Sequence, residues 1–419
     1  MTEPDKYPTE HELLRSPQTV SAAISTHELL NADSFWKKLN PADWLFAVAL
    51  AAVAALVQIK MPHHMDMYET AILWASTLAA VSMGWFFKPL RWFLLGSILL
   101  GYLAVGLYDG EIDHASDKFL LRYFLSSQSA IMWQCALTVL AFTAYAGGML
   151  SVWLRQQRQP ENTAQQQGSL LFGIAGGSAW AAAFAGFVGL LVRWHESYLL
   201  RPDAGHIPVS NLYEVFILFM VITGLMYLYY ERKFNMQRLG AFVYLLLCGL
   251  VAFVLWYSAA RGAHEIRPLI EPLQSWWMKL HVPANFIGYG GFCMAAMFGS
   301  AELLALHNPR IRHLLPDLAL IEEAMYKAIA VGFLFFTIAT ILGALWAHDA
   351  WGGYWSWDPK EVWALIVWLN YAVWLHLRLV KGWRGKIPAW WAVIGLFITA
   401  FAFVGVNMFL SGMHSYGGL

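Results

Sequence analysis

Long apolar runs recur along most of the chain, and they limit most strongly what it can fold into. Eleven runs approach the length of a helical bilayer crossing, about 20 residues, and each is bounded by charged residues, Pro or Gly. They cover residues 42–59, 70–87, 90–108, 131–154, 170–192, 212–230, 240–258, 282–305, 327–347, 361–379 and 389–410. The sequence therefore predicts an all-α membrane helical bundle with about 11 transmembrane helices in a lipid bilayer.

The composition agrees with a membrane protein and argues against several other classes. Of the 419 residues, 59% are hydrophobic and 13% are charged, against about 45–50% and about 25% in soluble proteins. Lys plus Arg and Asp plus Glu are equal at 27 each, so no basic field favours nucleic acid. The three cysteines form no CxxC or CxxCH motif, which excludes a dithiol oxidoreductase, a zinc ribbon and a cytochrome with covalent haem.

The positions of the basic residues predict the orientation. Cytoplasmic loops are enriched in Lys and Arg, and about 18 of the 27 basic residues are cytoplasmic if the N-terminus is inside. The sequence therefore predicts an N-in, C-out topology. The strongest signals follow the sixth and tenth runs: Arg232, Lys233 and Arg238, then Arg378, Lys381, Arg384 and Lys386.

Two polar segments predict the domain organisation. Residues 1–41 lack the short apolar core of a signal peptide and are predicted to be a cytoplasmic N-terminal segment. The Gln-rich residues 155–169 have the composition of a cytoplasmic linker. This linker separates a four-span region, residues 42–154, from a seven-span region, residues 170–419.

Five Trp and one Tyr are concentrated in residues 346–363, between the ninth and tenth runs. An interfacial belt needs only one or two aromatic residues per crossing, and this belt is the alternative interpretation. The aromatic density and the Gly352–Gly353 pair instead predict a flat aromatic surface for a large planar apolar ligand. Asp358 followed by Pro359 predicts a helix N-cap with Pro at the first helical position.

This tryptophan-rich segment also resembles a known family. The stretches WGGYWSWDPKE (351–361), LHLR (375–378) and GMHSYGG (412–418) are similar to the CcsA/ResC family of System II cytochrome c biogenesis, labelled CcsB in some bacteria. LHVPANFIGYG (280–290) and GHIPVSNLYE (205–214) extend the resemblance to about residues 170–419. The first four runs match only in being hydrophobic.

The resemblance implies a haem-handling WWD protein in which two outward-facing histidines, here His281 and His414, ligate haem iron from opposite faces. It also implies that His376 holds haem within the membrane, opposite a ligand from a partner subunit. Neutral imidazole is a good axial ligand for haem iron, and the topology places His281 and His414 on one side. The alternatives are interfacial side chains for these two and a hydrogen-bonded core histidine for His376, which is expected to face the bundle interior.

The predicted site combines these histidines with the tryptophan-rich segment. The metal ligands are His281, His414 and His376, and the other haem-binding residues are Trp346, Trp351, Gly352, Trp355, Trp357, Asp358 and Trp363. The predicted catalytic set is His281, His414, Trp351, Trp355, Trp357 and Asp358. The possible cationic partners of the haem propionates are Arg193, Arg261, Arg267 and Lys360. Ser210 and Asn211 are expected to cap the sixth helix, and the role of His206 stays open.

The resemblance implies a membrane of bacteria or chloroplasts; because no transit-peptide composition is evident, we expect the bacterial inner membrane, with the active site on the outer face. The chain would carry haem b, as substrate and bound ligand, across the membrane and present it to the CxxCH thiols of apocytochrome c for thioether attachment. A CcsB/ResB-like membrane subunit and a separate thiol-reducing pathway are the implied partners. The rate gain would come from proximity and orientation, so activity as a holocytochrome c synthase is conditional on that subunit.

Three other functions remain open. A System I-type WWD haem protein shares the signature, although the DPKE and LHLR continuations favour System II. A haem exporter or chaperone without ligase activity is a second alternative. The third is a membrane electron-transfer protein that keeps a bis-His haem permanently.

Overall fold

The computed structural model describes residues 39–60, 65–158, 170–201, 205–269 and 273–413. Within these ranges the chain is helical and contains no strand, which confirms the predicted all-α class. The long helices in this part of the chain are α1 (Pro41–Lys60), α2 (Met67–Phe86), α3 (Pro89–Tyr108), α4 (Ser127–Arg158), α5 (Leu170–Leu200), α6 (Leu212–Phe234), α7 (Gly240–Arg261), α8 (Trp277–His307), α9 (Leu318–Trp351), α10 (Pro359–Val380) and α11 (Lys386–Ala400). A π-helical turn, Phe401–Gly405, continues α11 into a last helical turn, Val406–Phe409.

Ten helices of the described residues are long and apolar enough to cross a membrane, so the chain is a multi-pass membrane protein. Helix α2 is not among them, although it occupies the predicted run 70–87. It carries Glu69 and several hydroxyl residues, which lower its hydropathy. The hydroxyls of Ser76, Thr77 and Ser82 donate to carbonyl oxygens one helical turn earlier, at 2.7–2.9 Å.

Several helices extend beyond their apolar runs. Helices α8 and α9 have 31 and 34 residues, because polar and aromatic residues continue each helix past its apolar centre. His281 therefore lies in the second turn of α8, not before it, and Trp346 lies inside α9. The tryptophan-rich segment consists of the end of α9, a short loop at residues 352–358 and the start of α10.

The chain divides into two compact units, Met1–Lys88 and Pro89–Leu419. In the first unit the Trp44 and Trp85 rings meet edge to face at 5.5 Å, and Trp85 Nε1 donates to the Asp43 carbonyl oxygen at 2.9 Å. Residues 1–38 and 159–169 lie outside the described residues. The predicted division at the 155–169 linker therefore stays a prediction.

Helix α8 occupies the centre of the second unit and is closely packed through small residues. A Cβ atom at Gly291 would lie 2.5 Å from the Ala328 carbonyl oxygen of α9. A Cβ atom at Gly299 would lie 2.8 Å from the Ala389 carbonyl oxygen of α11. Small residues at these contacts allow the close backbone approach on which helix packing in membranes relies. The position of α8, and with it that of His281, is fixed by both neighbours.

Polar clusters mark the two ends of the second unit. At one end Arg193 is 1% exposed, and its guanidinium group bonds to Glu214 (2.6 Å) and to the His264 carbonyl oxygen (2.8 Å). At the other end both Arg378 and Arg384 lie 3.7 Å from Glu322. We call these the Arg193 end and the Glu322 end. Helices α6, α8 and α10 begin at the Arg193 end, where α7, α9 and α11 finish.

Candidate functional site

A cavity of about 250 Å³ lies at the Arg193 end of the second unit, among α6 to α11. This volume is slightly below the range for small-molecule sites, about 300–1,000 Å³. Its walls are largely aromatic: Tyr257, Phe286, Tyr289, Phe336, Trp346, Tyr354, Trp355 and Phe403 contribute to the lining. The part formed by Phe403 comes from the π-helical turn after α11, a feature frequent at functional sites. These walls suit an apolar, planar ligand.

His281 lines this cavity from α8. Its Nδ1 lies 2.8 Å from the carbonyl oxygen of Ala339 on α9, and its ring meets Trp346 edge to face at 5.7 Å. A carbonyl oxygen only accepts, so Nδ1 carries a proton, and in the neutral imidazole the lone pair is on Nε2. Metal-binding histidines commonly hold one ring nitrogen against a carbonyl in this way. His281 therefore has the tautomer that haem iron ligation through Nε2 requires.

Gly343 on α9 makes room for the imidazole ring. A Cβ atom at this position would lie 3.0 Å from Cε1 and 3.2 Å from Nδ1 of His281. A side chain at this position therefore requires the imidazole ring to shift by a few tenths of an ångström. Gly343 was not predicted as a site residue, although an isolated Gly inside an apolar helical run is a signal of close approach.

Asp358 organises the loop between α9 and α10. It is 7% exposed and caps α10, since its Oδ2 accepts from the Lys360 backbone N–H at 3.1 Å. Glu361 Oε2 accepts from the Asp358 N–H at 3.2 Å and completes the capping box, so the predicted N-cap is confirmed. Asp358 Oδ1 also accepts from the Met413 N–H at 2.7 Å. His414, the next residue in the sequence, lies outside the described residues.

The tryptophans of the predicted site are not in one plane. Trp346 and Trp355 line the cavity, whereas Trp357 is 70% exposed. The Trp355 and Trp357 rings are 5.9 Å apart and nearly perpendicular, at 88°. The backbone at Trp357 accounts for this perpendicular arrangement of the two rings. Trp357 has φ 60°, a left-handed conformation that is uncommon for residues other than Gly. The predicted flat surface is therefore wrong for this pair of rings.

Three predicted residues support the loop or the helix packing and are not among the cavity-lining residues. Trp351 ends α9, and Gly352 (φ 78°) caps it by donating its N–H to the His348 carbonyl oxygen at 2.8 Å. The Trp363 ring packs against Phe401 at 4.4 Å. The structure thus brings His281, Trp346 and Trp355 together around the cavity. Trp351, Gly352 and Trp363 are not among the residues that line it.

His376 is exposed on α10, about 22 Å further along the helix than Glu361. The expectation that it faces the bundle interior is wrong. Two neighbouring residues give the reason: Trp374 is buried, and Arg378 points towards Glu322. At about 100° per residue, position 376 is about 200° from either neighbour and therefore faces away from the bundle.

Near the start of α6, the capping prediction is confirmed for Asn211, whose Oδ1 accepts from the Glu214 N–H at 3.0 Å. The Ser210 hydroxyl donates to Glu214 Oε2 at 2.7 Å. His206 is buried and is not among the cavity-lining residues. Asn285 also lines the cavity and was not predicted as a site residue; it follows His281 by one helical turn and therefore shares its face of α8.

Comparisons with known proteins identify relatives of this chain. The family model for cytochrome C assembly proteins matches residues 209–414. The chain is 37% identical over 235 residues to cytochrome c biogenesis protein CcsA of Chlamydomonas reinhardtii, covering 54% of this chain and 64% of that protein, slightly less than two thirds of its length. It is 35% identical over 259 residues to CcsA of Parasynechococcus marenigrum (strain WH8102), and the match covers 54% of this chain and 81% of that protein. It is 34% identical over 272 residues to CcsA of Guillardia theta, and the match covers 59% of this chain and 87% of that protein. A solved structure of cytochrome c heme lyase CcmF is 18% identical, with a TM-score of 0.49 over 66% of this chain and 46% of that one.

Proposed function

The chain belongs to the family of cytochrome c biogenesis proteins named CcsA, and from this premise we propose that its aromatic cavity holds haem b for attachment to apocytochrome c. The observation that carries the proposal is His281, with the lone pair on Nε2 at the wall of an aromatic cavity. Neutral imidazole is a common axial ligand of haem iron. Trp346, Trp355 and Phe403 supply ring faces and edges for the macrocycle.

His414 is the proposed second axial ligand. Its neighbour Met413 is bonded to Asp358, so the chain reaches the tryptophan-rich segment one residue before His414. Two axial histidines, one from α8 and one that follows Met413 in the sequence, would hold the ring and shield the iron. Release of one histidine would let the histidine of the CxxCH motif replace it.

The proposed reaction needs no nucleophile from this chain. Haem supplies two vinyl groups; a cysteine thiol adds across each, so that sulfur bonds to one carbon and the thiol proton goes to the other. His281, Trp346 and Trp355 orient the ring, and the rate gain comes from proximity. The described cysteines Cys135, Cys248 and Cys293 are unpaired and lie within α4, α7 and α8, so the reduced thiols of the substrate are proposed to depend on a separate thiol-reducing pathway.

His376 is the proposed haem ligand within the membrane, on the route to the cavity. Its exposure on α10 suits a site shared with a CcsB/ResB-like subunit, because a ligand held between two chains needs a residue at the surface. The basic residues of the Glu322 end, among them Arg378 and Arg384, support the proposal that this end faces the cytoplasm of a bacterium. Haem would then enter near His376 and leave at the Arg193 end, and residues 170–419 would form the haem-handling region.

A reporter cytochrome tests the ligation step. The full chain and its partner subunit are expressed with a CxxCH reporter in cells that lack their own maturation system, and covalent haem is measured on the denatured reporter. We expect covalent haem when both subunits are present and its loss with His281→Ala. Haem that is bound by the chain but never joined to the reporter would favour the exporter or chaperone. Stable redox cycling with a quinol, without transfer, would favour the electron-transfer protein.

A further inference from the structure

Thioether formation, the reaction proposed above, requires a cysteine thiol to give up its proton. The thiolate is the nucleophile, and only a few per cent of a free cysteine is thiolate at about pH 7. Two acid–base groups of the cavity wall are already engaged. His281 holds the Ala339 carbonyl oxygen through Nδ1, and its Nε2 is the proposed iron ligand. Glu361 Oε2 accepts from the N–H groups of Ser356 and Asp358. A base beside the cavity would increase the reactive fraction of the substrate.

His348 lies beside the cavity, in the last turn of α9. Its ring stacks on the ring of Tyr354, with centroids 4.4 Å apart and an angle of 20° between the planes. Tyr354 lines the cavity, so the imidazole adjoins the cavity wall through this one ring. The His348 side chain is 48% exposed, and a polypeptide can therefore reach it from outside the helical bundle.

Asp349 provides a counter-ion for the imidazole. Its Oδ1 lies 3.6 Å from Nδ1 of His348. Its Oδ2 accepts from Trp277 Nε1 at 2.7 Å, so the first residue of α8 holds the carboxylate in place. The His348 carbonyl oxygen accepts from the Gly352 N–H at 2.8 Å, which fixes the backbone at the end of α9. An imidazolium formed at His348 therefore has a fixed carboxylate near Nδ1, while Nε2 makes no hydrogen bond to the described residues.

We propose that His348 is the general base for the substrate thiol, an inference that rests on the proposed function. Nε2 accepts the thiol proton, and the electron pair of the S–H bond stays on sulfur. Sulfur then forms a C–S bond with one vinyl carbon, and the π electrons of the vinyl group form a C–H bond at the other carbon with the proton that Nε2 returns. The imidazole is neutral again at the end, and nothing is oxidised or reduced. A general base in position contributes about 10²–10⁴ in rate.

The rate of haem attachment as a function of pH tests this role. The full chain and its partner subunit are purified in detergent, loaded with haem and supplied with a reduced CxxCH peptide. Bound haem is followed by absorption and covalent haem is measured over time. We expect His348→Gln to bind haem as the wild type does and to attach it about a hundredfold more slowly at about pH 7. The deficit should shrink towards about pH 9, where most of a free thiol is ionised without a base.

Two further variants make the test specific. The ionisable groups in contact with the described His348 ring are Asp349 and Tyr354. Asp349→Asn removes the counter-ion but keeps an amide oxygen that can accept from Trp277, so it should slow attachment severalfold at about pH 7 without changing the haem spectrum. His264→Gln is the matched control, because His264 belongs to the same end and its Nδ1 lies 3.1 Å from the Ser258 hydroxyl. It should attach haem at the wild-type rate.

The possible outcomes separate this inference from the proposed function. If His348→Gln attaches haem at the wild-type rate, or is slowed equally at every pH, the inference is overturned while the proposed function stands. Loss of the haem spectrum in His348→Gln would assign the residue to haem binding and would also overturn the inference. If the wild type binds haem but never attaches it to the peptide, the proposed ligation itself fails, and the role of His348 fails with it.

Discussion

The backbone N–H of Met413 donates a 2.7 Å hydrogen bond to Oδ1 of Asp358. This contact joins the C-terminal tail to the loop before α10, although the two residues are 55 positions apart in the sequence. The fit is tight: a Cβ atom at Gly412 would lie 2.3 Å from the same oxygen. One carboxylate thus caps a helix and anchors the residue that precedes the proposed ligand His414.

Replacing Asp358 tests this double role. Asp358→Ala removes the cap of α10 and the anchor of Met413, so we expect a stability loss of about 1 kcal/mol from the cap and a lower low-spin fraction of added haem. Asp317→Ala is the control, since Asp317 caps α9 at its other end, where its Oδ1 accepts from the Ala319 N–H at 3.4 Å. It should affect stability without affecting the haem spectrum. Equal spectra for the two variants would contradict the anchoring role.

Enlarging Gly343 tests the placement of His281 without removing the ligand. Gly343→Val puts branched carbon atoms where the imidazole lies, so we expect haem affinity to fall severalfold or more, as measured by titration in detergent. Gly249→Val on α7 is the control, because no atom lies within 4 Å of a Cβ there. Unchanged affinity in Gly343→Val would show that the His281 contact with Ala339 is not needed.

Replacing His376 separates the two proposed haem positions. His376→Ala should leave the binding of added haem by the purified chain unchanged, because this side chain lies about 18 Å along α10 from Ala364, the last residue of α10 that lines the cavity. In cells the same variant should lower covalent haem on the CxxCH reporter, which depends on delivery through the membrane. Val373→Ala, on the same exposed face, is the control and should mature the reporter normally. If His376→Ala weakens binding in detergent as much as His281→Ala does, a separate inner position is ruled out.

The buried pair of Arg193 and Glu214 predicts a stability effect. Arg193→Met leaves the Glu214 carboxylate buried without its cation, so we expect a loss of about 3–5 kcal/mol in unfolding free energy. Arg193→Met combined with Glu214→Gln should recover part of the loss. The exposed pair of Arg267 and Glu265 should contribute about 1 kcal/mol or less. Denaturant unfolding in detergent measures the unfolding free energy of the single variant, of the double variant and of a variant that lacks the Arg267–Glu265 pair. Similar losses of unfolding free energy for the buried and the exposed pair would refute the structural role of Arg193.

The features predictable from the sequence are those that neighbouring residues determine. The apolar runs predicted the helices, because bilayer length and hydropathy act within one segment. Asp358 and Asn211 were predicted as caps, because a capping side chain bonds to backbone groups within about three residues. The ends of α8 and α9 were misplaced, since hydropathy marks only the apolar centre of a helix.

The features that the sequence did not predict depend on contacts between distant segments. The fit of Gly343 against His281 joins α9 to α8. The hydrogen bond from Met413 to Asp358 joins the C-terminal tail to the loop before α10. The exposed face of His376 follows from the pairing of Arg378 with Glu322 on another helix. Pattern and spacing within one segment carry no information about such pairs. The aromatic density was visible in the sequence, but the left-handed backbone at Trp357 was not.

The absorption spectrum of the detergent-purified full chain, oxidised and reduced, is the direct test of haem ligation by His281 and His414. Wild type is compared with His281→Ala, His414→Ala and the double variant after co-expression with the partner subunit. We expect a low-spin bis-His haem b signal in the wild type that each single substitution weakens and the double substitution abolishes. A wild type that binds no haem, or a signal that His281→Ala leaves unchanged, would contradict it.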